Sequence, residues 1–309
     1  MHPAYSVILF TTASGAGYGL LALLGLVGHF HGRASTMAFG LTAIIIALGL
    51  ITVGLLSSTF HLGHPERAWR ALSQWRSSWL SREGIAAVAT YGPALAFGLV
   101  WTGLIDAPAL VGPLGLVTAA LCAVTVFTTG MIYASLKTIR VWHHPLTVPV
   151  YLVFALATGS SLLGAIAALF GRFQWVQAAL AVAALLAALI LKQLYWMLID
   201  DARSTHSIED ATGLGRIGKV AQWELAHTSE NYIQREMGYA VARKHADKLR
   251  LVVKGLLALA AVSMMLALAL PPLAVLTAAL AIGAAVTERW LFFAEAQHVS
   301  TLFYGAKSA

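Results

Sequence analysis

The sequence predicts an all-α integral membrane protein, a bundle of eight transmembrane helices with both termini in the cytoplasm. Of its 309 residues, 59% are hydrophobic and 11% are charged, whereas soluble domains are about a quarter charged. Apolar runs long enough to cross a bilayer as helices follow one another along the chain. Lys and Arg are distributed unevenly between the two sets of loops. These three observations exclude a water-soluble protein.

Hydropathy defines each predicted span. Helices are favoured over outer-membrane strands because residues 41–56 are apolar almost without a break and do not alternate. No basic residue precedes the first span, so we expect it to be retained rather than cleaved as a signal peptide. The predicted spans are 5–29, 36–60, 83–104, 109–133, 146–170, 174–199, 251–270 and 273–294.

The orientation follows from the basic residues. Eighteen of the 20 Lys and Arg residues fall on the side that holds the termini and the loops after even-numbered spans, and the other side holds Arg33 and Arg172. By the positive-inside rule that first side is cytoplasmic. The excess of basic residues behind the net charge of +7 is therefore explained by the orientation in the membrane, and we expect no nucleic-acid partner. We predict one transmembrane domain over residues 1–309 with two cytoplasmic elements, a site loop at 61–83 and a long loop at 200–249.

The long loop contains a charged helical stretch at residues 230–250 with both signs interspersed. A solvated helix explains this pattern, and a docking surface for a soluble partner is the functional alternative. The single cysteine, Cys122, lies in an apolar run. One cysteine excludes an intrachain disulfide, and it excludes zinc or iron–sulfur sites built from this chain's own thiolates.

Pumps and proton-coupled carriers place ionisable side chains near the bilayer midplane, and we expect none there, because spans 1, 2, 4 and 5 contain no Asp, Glu, Lys or Arg. The charges of spans 3, 6 and 8 lie toward their cytoplasmic ends, and we expect Lys192 to extend its amine to that interface. Gly15, Gly17 and Gly19 are predicted to be packing glycines. Haem b could be held only by histidines near the inner end, because no histidine pair lies within the hydrocarbon.

Ionisable side chains cluster where span 2 leaves the membrane and span 3 enters it. The segment is residues 61–83, HLGHPERAWRALSQWRSSWLSRE. An interfacial loop with an aromatic belt explains Arg70, Trp75 and Arg76. His61 and Glu83 lie at the hydrocarbon boundary, where an ionisable group is costly unless it is paired or used. Quinone chemistry requires a hydrogen-bond donor for each ring oxygen and two protons, which a histidine and a partly desolvated carboxylate can provide.

The inner end of span 8 offers a second wall to the same pocket through Glu288, Arg289, Glu295 and His298. Arginine can stabilise negative charge on a ring undergoing reduction. The structural alternative for Glu288 and Arg289 is an ion pair, within span 8 or between helices, that only anchors the helix.

Four segments resemble the membrane-anchor subunit of dimethyl sulfoxide reductase and its relatives in the complex iron–sulfur molybdoenzyme family. They are residues 1–19, 61–84, 231–245 (NYIQREMGYAVARKH) and 288–305 (ERWLFFAEAQHVSTLFYG). The resemblance implies eight transmembrane helices, no prosthetic group of the subunit's own, and a quinone site near an iron–sulfur subunit, served by His61 and Glu83. Because the charge count places the loops in the cytoplasm, the chain looks more like the anchor of the cytoplasm-facing sulfite dehydrogenase branch.

We therefore expect an anchor in the bacterial cytoplasmic membrane that binds an iron–sulfur subunit and a molybdopterin catalytic subunit on the cytoplasmic face. Its expected cofactor is ubiquinone or menaquinone, bound non-covalently, while the iron–sulfur clusters and molybdopterin reside in the partners. His61 is expected to hydrogen-bond a quinone oxygen and Glu83 to transfer a proton. The remaining expected quinone-site residues are Arg67, Arg82 and Arg289 for electrostatics, together with His64, Trp79 and Glu288.

In this interpretation the molybdenum chemistry, sulfite oxidation, occurs in the partner, and this chain is the quinone-reactive subunit of a sulfite:quinone oxidoreductase. One alternative is the same anchor oxidising quinol to feed a reductase of the dimethyl sulfoxide type in anaerobic respiration. A second alternative is a stand-alone permease.

Overall fold

The computed structural model describes residues 4–201, 207–221, 223–224 and 241–304, and among them eight helices are long and apolar enough to cross a membrane. We number them α1 to α8. Their bounds are Tyr5–His31, Met37–Ser57, Trp79–Trp101, Pro108–Ala134, Thr147–Leu169, Trp175–Asp201, Val241–Leu266 and Leu273–Ala294. The predicted eight helices are confirmed.

Two helix starts differ from the prediction. Helix α3 begins at Trp79 rather than at 83, because the Ser78 side chain caps the helix by accepting the N–H of Ser81. Glu83 therefore lies inside the helix and not in the loop. Helix α7 begins at Val241 rather than at 251, so the last part of the predicted charged stretch belongs to the same helix as the apolar run. Residues 231–240 of the loop motif lie outside the described residues.

The described helices form two groups of four. Helices α1 to α4 form one group and α5 to α8 form the other, and the two groups meet where α1 and α4 lie against α5 and where α1 contacts α8. Helices α1 and α5 are accordingly the most buried of the eight. The polar residues of the interior lie around these two central helices.

Glycines allow the central helices to approach closely. A Cβ atom added to Gly19 would lie 1.8 Å from the Ala155 carbonyl oxygen of α5, and one added to Gly17 would lie 2.7 Å from the Ala47 oxygen of α2. Both residues are therefore the packing glycines that the sequence predicts. The prediction for Gly15 was wrong, because no atom lies within 4 Å of its added Cβ.

Helix α1 contains a π-helical segment at Phe10–Ser14, whose five residues are all buried. The Thr12 hydroxyl donates to the Ile8 carbonyl (2.7 Å) and the Ser14 hydroxyl to the Phe10 carbonyl (2.6 Å). Single π-helical turns inside α-helices are frequent at functional sites. Here it brings small hydroxyl groups into the interior of the bundle.

The end of the bundle that carries the α1–α2 and α3–α4 connections is held together by polar contacts. Arg33 forms an ion pair with Asp106. The indole N–H of Trp101 donates to the Gly32 carbonyl (3.1 Å), and the Ala34 N–H donates to the Trp101 carbonyl (3.0 Å). These contacts join the first two helices to α3 at the end opposite the predicted site loop.

Candidate functional site

Glu83 is a buried carboxylate in the second turn of α3. The hydroxyl of Thr129, on α4, lies 3.5 Å from Glu83 Oε1 and within hydrogen-bonding reach of the Thr125 carbonyl (2.9 Å). A carboxylate in the apolar part of a membrane protein is costly, so its presence indicates a function or a partner. Glu83 has a single weak side-chain contact of this kind among the described hydrogen bonds, which leaves the carboxylate available for proton transfer.

The loop before α3 forms a 3-10 helix at Pro65–Gln74 with no buried residue. His64 Nδ1 lies 3.0 Å from Glu66 Oε1, and Arg67 Nε lies 3.7 Å from the same oxygen. All three side chains are exposed. The structure thus places two predicted site residues, His64 and Arg67, in a solvent-facing polar segment. The side chain of His61 lies outside the described part of the structure.

Arg82 connects this loop to α3. Its Nε donates to the Trp75 carbonyl and its Nη2 to the Arg76 carbonyl, both at 2.8 Å. Its guanidinium also lies 4.3 Å from the centre of the Trp79 ring. Two charge-assisted hydrogen bonds and a cation–π contact hold the end of the loop against the helix. The geometry gives Arg82 a positioning role for the loop.

Lys192, Glu288 and Arg289 form a buried ionic cluster between α6 and α8. Lys192 Nζ lies 2.6 Å from Glu288 Oε1, and Arg289 Nη1 lies 3.1 Å from Glu288 Oε2. The expectation that Lys192 extends to the membrane interface was wrong, because the amine is buried against a carboxylate of another helix. Glu288 and Arg289 do form the ion pair that was the structural alternative, and the pair extends between helices.

The cluster is not fully hydrogen-bonded. Both carboxylate oxygens of Glu288 and Nη1 of Arg289 lie at ion-pair distance, yet they lack a well-aligned hydrogen bond in the described structure. Aromatic rings supply the other neighbours: Lys192 Nζ lies 4.0 Å from the Tyr195 ring centre, and the Arg289 guanidinium lies 3.6 Å from that of Tyr151. Buried charges with unused hydrogen-bonding capacity are suited to bind water or a proton.

A small cavity lies between Glu83 and this cluster. Its volume is about 20 Å³, enough for a single water molecule and far too little for a quinone ring. Thr129, the neighbour of Glu83, and Arg289, the neighbour of Glu288, both line it. The hydroxyls of Tyr18 and Tyr151, which also line it, have no hydrogen-bond partner in the described structure. The π-helical segment contributes Thr11, Thr12 and Ser14 to the same cavity.

A larger, open groove of about 550 Å³ lies between α4 and α5. Its walls are mostly apolar, and Phe127, one of them, contacts Trp79 edge-on at 6.1 Å between ring centres. Trp79 and Glu83 are four residues apart and so share a face of α3. The groove therefore adjoins the α3 residues of the predicted site. It is lined by Phe127, Met131, Ala134, His143, His144, Pro145, Val148, Pro149 and Leu152.

The two histidines of the groove use Nδ1 in different ways. His143 Nδ1 lies 2.6 Å from the Ala134 carbonyl oxygen and donates to it. His144 Nδ1 accepts the Leu146 N–H (3.2 Å), which leaves the proton on Nε2. Burial lowers the pKa of His144 below its ordinary value, so the ring is neutral at pH 7. The Nε2–H of His144 is thus a hydrogen-bond donor in a mostly apolar groove.

The structure brings together only part of the predicted site. Glu83 and Arg289 are linked through Thr129 and the small cavity, and Trp79 adjoins the groove, whereas His64 and Arg67 pair with Glu66 in solvent. Sequence reasoning missed the groove, and it considered the histidines near the inner end, which include His143 and His144, only for haem b. It also assigned Lys192 to the membrane interface and not to the interior, although a lysine inside an apolar span is itself a signal of function.

Comparison with known proteins agrees with this architecture. The family model of the DMSO reductase anchor subunit (DmsC) matches residues 1–305. The chain is also similar to a subunit of the sulfite dehydrogenase of Allochromatium vinosum, with 32% identity over 98% of this chain and 99% of the relative. Both matches cover all eight helices and the loops between them. The chain therefore belongs to the family of DMSO reductase anchor subunits.

Proposed function

We propose that this chain passes electrons from a cytoplasmic iron–sulfur subunit to membrane quinone during the oxidation of sulfite to sulfate by a molybdopterin subunit. A multi-pass membrane anchor of this family implies catalytic and electron-transfer partner subunits. The choice of sulfite is supported by the similarity to a sulfite dehydrogenase subunit over nearly the whole chain. The same family match to DMSO reductase anchors supports the alternative direction, in which quinol is oxidised to feed a reductase.

The position of Glu83 is the observation that carries the proposal. This buried carboxylate lies in the second turn of α3, shortly after a charged loop segment with no buried residue. A proton-transfer group inside the membrane is thereby placed next to a polar surface of the kind that a soluble partner can contact. In a protein that transfers electrons to quinone, those two features have to be close together.

The groove between α4 and α5 fits a quinone ring, and the interior cavity does not. Ligand pockets are mostly apolar, have volumes of roughly 300–1,000 Å³ and contain a few placed polar groups. The groove has that volume, and His144 Nε2 supplies a hydrogen-bond donor. A bound quinone, ubiquinone or menaquinone, would supply two-electron, two-proton redox chemistry. Glu83, behind Trp79 and Phe127, would supply a proton, and His61 remains the predicted second donor.

The proposed placement is the bacterial cytoplasmic membrane, with both termini and the partner subunits on the cytoplasmic side. Eighteen of 20 basic residues on one side of the predicted topology support it. We further propose one transmembrane domain, with the loop at 61–83 and the region 200–249 contacting the partners. Arg250, in the third turn of α7, pairs with Asp200 at the end of α6 and with Glu295 directly after α8, and so links three helices beside that region.

A pull-down of the tagged chain in mild detergent tests the function. The preparation is assayed for molybdenum, for iron and for sulfite-dependent quinone reduction in the same fraction. We expect both metals and sulfite activity. Metals with quinol-dependent sulfoxide reduction would reverse the electron flow, and a metal-free single chain would favour a permease and overturn the proposal.

A further inference from the structure

We infer that a polyisoprenoid chain, the tail of the proposed quinone, binds in a second cleft that continues the groove between α4 and α5 toward the middle of the membrane. The inference rests on the proposed function, because it concerns the substrate of the same site. It gives that substrate a tail subsite in addition to the ring subsite.

The cleft lies where α1, α4 and α5 meet, and its volume is about 160 Å³. Among the described residues that line it, none is charged. Its lining includes Gly19, Ala22 and Leu26 of α1, Ala123 of α4, and Leu152 and Leu156 of α5. A lining of this kind suits a hydrocarbon ligand, because it presents few groups that a hydrocarbon would leave without a hydrogen bond.

The cleft is recessed from the surface of the bundle and open to the lipid. Ala123, Leu152 and Leu156, which line its mouth, are exposed on the outside of the helices. Leu23 and Cys122, which also line it, are 7% and 1% exposed and lie deeper. A chain that diffuses within the bilayer can therefore enter the cleft from the side.

The cleft and the groove form one furrow. Leu152 lines both of them. On α5, Val148 of the groove and Leu156 of the cleft are each four residues from Leu152, so the three share a face of the helix. On α4, Phe127 of the groove and Ala123 of the cleft are likewise four residues apart. The same two helix faces thus continue from the groove into the cleft.

The furrow runs along the membrane normal. The groove reaches Ala134 at the end of α4, beside the connection that carries His144, and the cleft reaches Ala123. These α4 residues are 11 positions apart, which is about 17 Å along a helix at 1.5 Å per residue. The hydrocarbon core is about 30 Å thick. A ring that accepts the His144 Nε2–H near the membrane surface can therefore extend its tail along the furrow to the middle of the bilayer.

The shape of the cleft favours a prenyl chain over the acyl chain of a phospholipid. A prenyl chain has a methyl branch and a double bond in each repeat, so it is thicker and stiffer than a linear acyl chain. Gly19, Ala22 and Ala123 are small residues and leave a recess between larger neighbours. A linear acyl chain can cover a helix surface without such a recess, whereas a methyl-branched chain can use it.

The tail contributes mainly to the position of the ring. A hydrocarbon chain gains little hydrophobic free energy when it moves from lipid into a protein cleft, because both surroundings are apolar. Contacts along the recess instead fix the orientation of the ring, and binding energy from a remote part of a substrate can raise the rate in this way. We therefore expect a several-fold effect of the tail on kcat/KM.

The test compares two quinones that share one ring, the first with a tail of several prenyl units and the second with a methyl group in place of the tail. Both are assayed with the whole complex in phospholipid nanodiscs. Ala123→Phe narrows the mouth of the cleft, and it should raise the KM for the prenyl quinone at least several-fold and leave the KM for the tail-free quinone unchanged. Comparing each variant with the natural chain, one quinone at a time, cancels the different partitioning of the two quinones into lipid.

Val124→Phe is the matched control. Val124 is the next residue of α4, is 48% exposed and lines neither the groove nor the cleft, so its substitution should change neither KM. Equal increases for both quinones in Ala123→Phe, or no increase, would overturn the tail subsite while leaving the proposed function intact. A complex that reduces neither quinone would overturn the proposed function itself.

Photocrosslinking tests the tail subsite without turnover. A prenyl quinone with a diazirine in its tail is irradiated with the complex in the same nanodiscs, and the modified residues of this chain are mapped by mass spectrometry. We expect labelling at Ala22–Leu26, Cys122–Val126 and Leu152–Leu156, reduced by unlabelled prenyl quinone and by Ala123→Phe but not by Val124→Phe. Even labelling of all lipid-facing helices would show that phospholipid chains fill the cleft, and it would overturn the inference.

Discussion

Lys192 Nζ on α6 and Glu288 Oε1 on α8 lie 2.6 Å apart, and both side chains are buried. This contact joins residues that are 96 positions apart in the chain. Removing one member of a buried pair leaves the other as an uncompensated charge, so the contact matters for stability as well as for chemistry.

Glu288→Ala should therefore destabilise the protein by about 3–5 kcal/mol, the usual cost of breaking a buried ion pair. The measurement is the thermal unfolding midpoint of the detergent-solubilised complex. The matched control is Asp106→Ala at the exposed pair with Arg33, which should cost less than about 1 kcal/mol. Equal effects of the two substitutions would contradict the burial of the cluster.

Gly19→Ala should weaken the contact between α1 and α5. The added Cβ would lie 1.8 Å from the Ala155 carbonyl oxygen, and overpacking of this kind costs about 1–3 kcal/mol or more. Gly49→Ala on α2, with no atom within 4 Å of the added Cβ, is the control and should be neutral. The yield and thermal midpoint of the assembled complex report the difference.

Glu83→Gln should lower quinone-coupled turnover by about 10²-fold or more, since a general acid or base contributes 10² to 10⁴. Turnover with an artificial electron acceptor, which needs no proton from the bundle, should stay normal. Asp106→Asn, in the exposed α3–α4 connection at the opposite end of the bundle, is the control and should leave both rates unchanged. Normal quinone turnover in Glu83→Gln would remove Glu83 from the site.

Leu152→Trp should fill part of the groove between α4 and α5. We expect at least a several-fold higher KM for quinone, with an unchanged rate toward an artificial acceptor, because the loss concerns access and not electron transfer. Ile190→Trp, on the exposed face of α6, is the matched control. If both tryptophans leave the KM unchanged, the ring binds elsewhere, and the predicted site around His61 becomes the next place to test.

The orientation can be tested with cysteine labelling. Cys122 is buried, so the natural chain should not react with a membrane-impermeant maleimide. Asp106→Cys should react in cells whose inner membrane is intact, and Lys219→Cys should react only after that membrane is permeabilised. The reverse pattern would invert the proposed topology.

Much of the fold could be predicted because the bilayer imposes a local rule. Each span must hydrogen-bond its own backbone polar groups as a helix, and a run of about 20 apolar residues identifies such a helix in the sequence. The start of α3 was misplaced because hydropathy alone does not show the N-cap. Ser78 caps the helix, so Trp79 and Leu80 belong to its first turn. The start of α7 was misplaced because the predicted span began at its first apolar run, whereas the helix already begins in the charged residues before that run.

The site was less predictable because it depends on contacts between distant helices. Lys192 was predicted to be interfacial because the sequence does not show that Glu288, its partner on α8, lies beside it. The cavity needs side chains from four helices at one depth, and no spacing along the chain encodes that. Glu83 could be singled out because a carboxylate at the start of an apolar span is a local signal.

The close approach of Gly19 to the Ala155 backbone has a consequence for how the protein is made. These residues are about 140 positions apart, so at a ribosomal rate of 5–20 residues per second α1 enters the bilayer on the order of 10 s before α5 is synthesised. During that interval its threonines and serine face lipid without the rest of the bundle. Their hydroxyls donate to carbonyls of the same helix. Because no hydroxyl needs a partner on another helix, α1 can be stable in the bilayer before α5 is inserted.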